Sequence, residues 1–188
     1  SKGYQINHKL VMKLMKLEGL TCQLRKKRYR SYKGLVGKIA PNLLNRNFKA
    51  TQPNQKWATD VTEFKVFGKR FYLSPILDLF NGEVVSYSLT GSPSFAGTIE
   101  MLKKAFQRLP EKVELILHSD QGWQYQMRPY QKLLVERGIQ QSMSRKGNCY
   151  DNAVIENFFG LLKSEFFDNN TFQTVCEFQK ELTKYLDY

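Results

Sequence analysis

Histidine and cysteine are scarce in this chain, with two and three copies in 188 residues. Cys22, Cys149 and Cys176 are odd in number and widely separated, and none pairs with another at a metal-ligand spacing. With only His8 and His118 to assist, this argues against a zinc site and for a reduced, cytosolic compartment. Long apolar runs are missing too: none approaches the about 18 residues of a membrane span, and no stretch reads as a signal peptide. Acid is nearly absent from the first 50 residues, where Glu18 stands alone against 13 Lys and Arg. Residues 51–188 hold 16 charges of each sign, so the whole net charge of +12 belongs to the first 50. Its densest part is the run Arg25, Lys26, Lys27, Arg28 and Arg30, with Tyr29 and Tyr32 interleaved. Such a run suits an arm that neutralises nucleic-acid phosphates. A solvated linker is the plain alternative, and a nuclear-localisation reading has nothing else behind it.

Three acids stand in distinctive local contexts. Asp60 lies in Trp57-Ala58-Thr59-Asp60-Val61-Thr62, among small neighbours that leave room for ions and a phosphate. Asp120 ends the apolar run Leu115-Ile116-Leu117-His118-Ser119. Glu156 sits on the polar side of a helix whose apolar side holds Val154, Ile155, Phe158, Phe159 and Leu162. Phosphodiester chemistry with two divalent ions needs carboxylates from rigid, separate elements, which hold the cations about 3.5–4 Å apart. Spacing alone does not decide it: 35 residues separate Asp120 from Glu156, and also Asp78 from Glu114. Context does, because Glu114 lies in an apolar strand pattern and points away from the face its neighbours use.

The pattern along the chain predicts a helix over 7–18, with Asn7 as N-cap and Gly19 as its stop. A basic, weakly periodic stretch follows to residue 50, then a linker at 51–55. Strands are expected at 57–67, at 70–79 and over Glu83–Leu89, with hairpin turns at Gly68-Lys69 and Asn81-Gly82. Pro75 removes a ladder donor and argues for an edge or a bulge. A helix from about Ser94 to Leu109, a buried strand at 113–118 parallel to the first, a helix near 129–137, a strand at Ile139–Met143, the Glu156 helix and a helix from about Thr174 complete the order. This is the order of an RNase H-like α/β domain: a mixed five-stranded sheet flanked by helices, with a basic, partly helical N-terminal arm. The chain divides into 1–52, the end of a DNA-binding region with its linker, and 53–188, a catalytic core that reads as cut at its C-terminus.

The segments around Asp60, His118-Ser119-Asp120-Gln121-Gly122-Trp123-Gln124-Tyr125, and Ser144-Arg145-Lys146-Gly147-Asn148-Cys149-Tyr150-Asp151-Asn152-Ala153 leading to Glu156 and Lys163 closely resemble the DDE transposases of bacterial insertion sequences, which carry a retroviral-integrase-like core. The likeness covers about residues 53–188, and residues 1–50 resemble the end of the helix-turn-helix region and linker that precede that core. It implies Asp60, Asp120 and Glu156 as the catalytic and metal-binding triad, with Mg²⁺ as cofactor and Mn²⁺ able to substitute. Strand cleavage to a 3′-OH, strand transfer, and a copy-out, paste-in route through a circular DNA intermediate are implied with it. The expected partners are the element's terminal repeats, target DNA and further copies of the chain, in a bacterial cytoplasm at the nucleoid and away from membranes.

Expected DNA contacts are Lys163, two helical turns beyond Glu156 with Gly160 clearing the surface between them, then Arg145, Lys146 and Asn148 on the loop before that helix, Gln124 and Tyr125 near the cleaved bond, and Arg25, Lys26, Lys27, Arg28 and Arg30 in the arm. For Lys163 the plain alternative is an exposed helix lysine, for the loop residues a mobile loop, and for Tyr125 a packed ring. His118 reads as structural support for Asp120. Glu63, Asp78 and Asp151 read as an exposed strand residue, a strand-end residue and a helix N-terminal acid. Two other functions fit less well. A structure-selective nuclease on the same fold is opposed by the glutamate on the last helix and by the basic arm. A non-catalytic DNA-binding regulator is opposed by the intact triad.

Overall fold

The computed structural model describes residues 7–20, 37–111 and 113–187. Two compact units are present, residues 1–31 and 32–188. The arm residues Arg25, Lys26, Lys27, Arg28 and Arg30 lie outside the described residues. In the first unit, helix α1 (His8–Leu17) begins where Asn7 accepts the Lys9 N–H through its side chain at 2.9 Å. It ends at Gly19, whose φ of 71° lets the N–H groups of Gly19 and Leu20 turn back to the carbonyls of Lys16 and Met15.

In the second unit, the strand expected over 57–67 is broken in two, so the sheet has six strands where the sequence suggested five. Strands β1 (Lys56–Thr59) and β2 (Thr62–Val66) both pair antiparallel with β3 (Lys69–Asp78), in one register from Trp57↔Asp78 to Val66↔Lys69. The turn between β2 and β3 is Phe67-Gly68, one residue earlier than its sequence signal, with φ of 47° and 74° as a type I′ hairpin requires. Strand β4 (Val84–Thr90) covers the other side of β3, while β5 (Ile116–Ser119) runs parallel to β1, and β6 (Gln140–Met143) parallel to β5. Helix α2 (Phe95–Gln107) starts at Ser94, whose hydroxyl accepts the Gly97 N–H. Helices α3 (Trp123–Gln126) and α4 (Arg128–Glu136) follow β5. After β6, a short 3₁₀ turn (Cys149–Asn152) leads into α5 (Ala153–Leu161), a wider-wound π segment (Leu162–Phe167) and α6 (Val175–Asp187).

Alternation along the strands sends side chains to two cores. Trp57, Ile76 and Leu117 pack with Met101 and Leu102 of α2 and Tyr130 and Leu134 of α4. Ala58, Phe64, Phe71 and Leu73 pack with Ile155 and Phe159 of α5 and with Phe178 and Leu182 of α6. Asp78 ends β3 as a buried carboxylate that accepts the N–H groups of Asn54 at 2.7 Å and Phe80 at 2.9 Å. Residues 37–50, read from the sequence as basic linker, lie along this unit as a strap. Leu44 is buried in it, and Lys56 holds the Asn47 and Lys49 carbonyls through its ammonium, at 2.8 Å each.

The second core is aromatic at its centre. Phe178 is fully buried, with ring centroids 5.7 Å from Phe64, 5.7 Å from Phe71 and 5.3 Å from Phe172. Truncating a buried ring removes its transfer free energy and leaves a cavity. Phe178→Ala should therefore lower unfolding stability by about 3–5 kcal/mol, read as a shifted midpoint in urea denaturation. A loss below about 1 kcal/mol would mean that the surrounding rings close the gap.

Candidate active site

Strand register decides where two of the three acids stand. Thr59 pairs with Ser119 across the parallel β1–β5 ladder, so Asp60 and Asp120 leave neighbouring strands at one level, strands being about 4.8 Å apart. The break in the first strand falls at Asp60. Thr59 faces Ile76 and Thr62 faces Leu73, so the shared register sets Asp60 opposite Pro75. Pro75 has no N–H to close the ladder there. Its carbonyl instead accepts the Thr59 hydroxyl at 2.8 Å. The sequence suggested an edge or a bulge at Pro75. It lies on an inner strand, with a register shift one residue on, at Ile76/Leu77 against β4.

Each aspartate is held by its surroundings. Asp60 accepts the Val61 N–H at 2.7 Å through Oδ1 and the Asn152 amide at 3.1 Å through Oδ2. Asp120 accepts the Gly122 N–H at 2.8 Å. A Cβ at position 122 would stand 2.8 Å from the Gln124 amide and 2.9 Å from Asp120 Oδ1, so a side chain there would have to displace one or both. Burial pushes the Asp120 carboxyl above its ordinary pKa, more than the Gly122 hydrogen bond lowers it. Tyr125, expected at the DNA surface, is instead fully buried and packs edge-to-face on Tyr130. Burial, and then the charges of Asp60 and Asp120, raise its phenol far above the usual range, which places the ring beside both carboxylates.

Glu156 is exposed on α5, one helical turn beyond Asn152. Among the described residues, no three His, Cys, Asp or Glu side chains close on a common point. The structure thus brings Asp60 and Asp120 together and links them to the Glu156 helix through Asn152, without drawing the glutamate itself into the cluster. Lys163 lies in the π segment, half-buried, with its ammonium 5.5 Å from the centre of the Phe64 ring. A Cβ on Gly160 would meet nothing within 4 Å, so the surface between Glu156 and Lys163 is open. Lys146 is exposed on the loop before α5, and Asn148 and Gln124 are half-buried.

Asp151, read from the sequence as an ordinary helix N-terminal acid, is the junction of this region. Its carboxylate is buried, yet accepts hydrogen bonds from the Arg145 side chain (2.8 Å twice), the Arg145 N–H (3.1 Å), Arg46 (3.0 Å) and the Asn42 amide (2.9 Å). The Arg145 fork does most to hold the carboxyl far below the carboxylate range. Arg145, expected on DNA, thus has its guanidinium engaged inward. The Asp151 carbonyl meets His118 Nε2 at 2.8 Å, and His118 Nδ1 meets Ser142 Oγ at 2.8 Å. A carbonyl only accepts, so Nε2 carries the proton, and the Ser142 hydroxyl donates to Nδ1 while accepting the Leu43 N–H at 2.9 Å. Burial favours this neutral imidazole by lowering the histidine pKa. His118 therefore ties the strand bearing Asp120 to the turn that starts the Glu156 helix. Asn152 had a legible signal, its place one turn before Glu156. The links of Asp151 to Asn42 and Arg46 had none, because those partners are more than 100 residues apart in sequence.

Residues 50–149 match the family described as Integrase core domain, and residues 156–188 match a second family of the same description. InsK, named as the transposase of insertion sequence element IS150 in Escherichia coli strain K12, is 56% identical over 187 residues, which covers all of this chain and 66% of that protein. A transposase-like protein of Haemophilus influenzae is 53% identical over 184 residues, or 98% of this chain and 85% of the relative. The chain belongs to the bacterial insertion-sequence transposases with an integrase core. It spans about two thirds of the length of InsK. In fold, this transposase resembles an integrase in a simian T-cell lymphotropic virus intasome, with a TM-score of 0.60, 20% identity, and coverage of 95% of this chain and 65% of the other. It also resembles the HTLV-2 integrase catalytic core in complex with magnesium, with a TM-score of 0.52, 20% identity, and coverage of 72% and 84%.

The Asp151 junction has a pH signature. A carboxylate whose folded pKa is depressed adds stability that is complete above its unfolded value of about 3.9 and is lost as pH falls below it. Asp151→Asn keeps the shape and removes the charge, while both arginines can still reach water. It should cost about 2 kcal/mol at pH 7, the weight of hydrogen bonds to a charged group, and the difference from wild type should shrink toward pH 3. Urea unfolding at the two pH values measures this. A difference independent of pH would show that the carboxylate charge is not what holds the junction.

Proposed function

We propose that this transposase cleaves DNA strands to a 3′-OH and transfers that end into target DNA, with Asp60, Asp120 and Glu156 as its metal-binding triad. The observation that carries the proposal is the parallel register that leaves Asp60 and Asp120 side by side, with Asn152 at the head of the Glu156 helix bonded to Asp60. The donors fit a hard divalent cation. They are all carboxylate oxygens, while His118 is turned away to Asp151 and Ser142. Burial of Asp120 makes its charge costly, and a cation at that spot removes the cost. Two Mg²⁺ ions, or Mn²⁺ in their place, would supply Lewis-acid activation of the attacking oxygen and stabilisation of the leaving one.

The chain's own residues orient what reacts. Asn152 and the Val61 N–H fix the Asp60 carboxylate, the Gly122 N–H fixes Asp120, and the buried Tyr125 forms the floor beneath both. Glu156, one turn beyond Asn152, would supply the third carboxylate to the cations. Lys163, across the open surface at Gly160, contacts a backbone phosphate beside the reacting one. Lys146, Asn148 and Gln124 line the DNA path, whereas Arg145 and Tyr125 keep structural roles. The basic stretch through Arg25, Lys26, Lys27, Arg28 and Arg30 adds sequence-independent affinity for terminal repeats and target DNA. Further copies of the chain assemble with the DNA at the bacterial nucleoid.

The triad is tested by Asp60→Asn, Asp120→Asn and Glu156→Gln, which keep shape and remove charge. Each should abolish metal-dependent cleavage and joining of labelled element ends while DNA affinity stays within about twofold of wild type, since an affinity change of about 0.4 kcal/mol or less reflects no lost contact. Joining above a few per cent of wild type in any of the three would remove that residue from the triad.

Lys163 makes a narrower test. Lys163→Ala should lower joining about tenfold, the weight of one charge-assisted phosphate contact, and cost less than about 1 kcal/mol of stability, mostly its stacking on Phe64. Lys163→Arg should restore part of the loss, because the charge remains and only the donor geometry changes. Full joining by the alanine variant would make Lys163 a solvated helix residue.

A further inference from the structure

A cavity of about 240 Å³ lies between β2, β3, β4 and the first turn of α2, with α3 at one side. Val61, Ser74, Ser88, Thr98, Trp123 and Gln124 are among its lining residues. Ser74 is 5% exposed on an inner strand, and its hydroxyl has no hydrogen-bond partner. A buried hydroxyl is seldom left unpaired. Ser88 faces it across the β3–β4 ladder, so two hydroxyls sit side by side in the wall. Trp123 adds a flat apolar surface, its ring centroid 6.3 Å from that of Phe95. The space equals that of about eight liquid waters, enough for one planar heterocycle and too little for a base pair.

The cavity adjoins the candidate active site at two points. Gln124 lines it, and both the Gln124 amide and Asp120 Oδ1 lie within 3 Å of the point a Gly122 Cβ would occupy. Val61 lines it and follows Asp60 directly in the break between β1 and β2. The sheet edge is free here. Strand β5 ends level with Thr59, and β2 pairs with β3 alone. A DNA backbone laid along that edge, its phosphate toward the aspartates, carries its sugar and base round to the side of the cavity.

We propose that this cavity receives a single unstacked nucleobase from the DNA strand being processed. The inference rests on the proposed strand-transfer reading and adds to it a base-binding subsite. The flat surface of Trp123 holds the ring by one face, which every base presents, while Glu63 also borders the cavity. The Ser74 and Ser88 hydroxyls, each both donor and acceptor, meet its polar edge without demanding one base. Unstacking the base also frees the backbone to bend toward the carboxylates, as enzymes that extrude nucleotides exploit.

The test uses the full-length transposase and duplexes of its element end, with 2-aminopurine placed in turn at each position flanking the cleaved bond. Fluorescence should rise several-fold on protein binding at one position and stay low at the others. Ser74→Met and Ser88→Met fill the cavity from two strands. Each should abolish that rise and lower joining about tenfold, in line with the loss of one stacked base, and an abasic nucleotide at the responding position should return both variants to the wild-type rate on that substrate. If Ser74→Met does not fold, Ser88→Met at its half-buried position and the wild-type fluorescence scan still decide. Wild-type protein that joins ends normally while no position brightens overturns the base subsite alone, as does brightening that survives both filled variants. Wild-type protein that neither binds nor joins the ends overturns the strand-transfer reading as well.

Discussion

A carboxylate without exposed surface must be fully bonded or it costs several kcal/mol, and Asp151 meets that demand with chain from two places: Asn42 and Arg46 come from the strap, and Arg145 from the loop after β6. Its backbone carbonyl adds a third, His118 of β5, the strand that leads into Asp120. The next residue, Asn152, bonds Asp60. The spatial relation between the two aspartates and the helix that bears Glu156 thus depends on one buried charge and the carbonyl beside it. Because a half-satisfied network of this kind is worse than none, the geometry around it is close to all-or-none. That property suits a site whose groups must be held to within a fraction of an ångström.

Two backbone devices then make the aspartates usable. Pro75 cannot donate to the ladder, and the strand opposite it opens at Asp60, so the carboxylate emerges from an otherwise paired and buried sheet. Gly122 leaves Asp120 and Gln124 in place, where a side chain would have to shift one of them. Both cost regular structure locally, and the two apolar cores on either side of the sheet supply the rigidity that offsets it. The glutamate is treated differently. It stands on an exposed helix face, one turn beyond the Asn152 that bonds Asp60.

Much of this was legible from the residues. The local context of Asp120 marked a strand end, and the helical periodicity after Tyr150 set Glu156 on a polar face, whereas Asp60 was expected inside a continuous strand and stands at its break. Asn7 with Gly19, and the approximate extents of the other elements, followed from capping and turn chemistry that acts over a few residues. Where the reading fell short, the deciding contact was distant. Locally, Tyr125 reads as a DNA contact or a packed ring, and it is buried against Tyr130. Arg145 reads as a DNA contact or part of a mobile loop, and two of its guanidinium nitrogens are bonded to Asp151. A local reading of Pro75 allowed an edge or a bulge, and only the pairing on both sides showed it to be internal.

By itself the sequence determined the order of elements, the confinement of excess positive charge to the first 50 residues, and the identity of the acids in their local contexts. These are properties of period, composition and near neighbours, which a chain carries whether folded or not. The tertiary structure decided which of those acids meet, which polar groups are buried, and which basic residues remain available for phosphate. Register and burial are set by partners as far apart as Asn42 and Asp151 or Asp60 and Asn152, and no local pattern encodes a contact whose two halves are brought together only when the sheet and its helices pack.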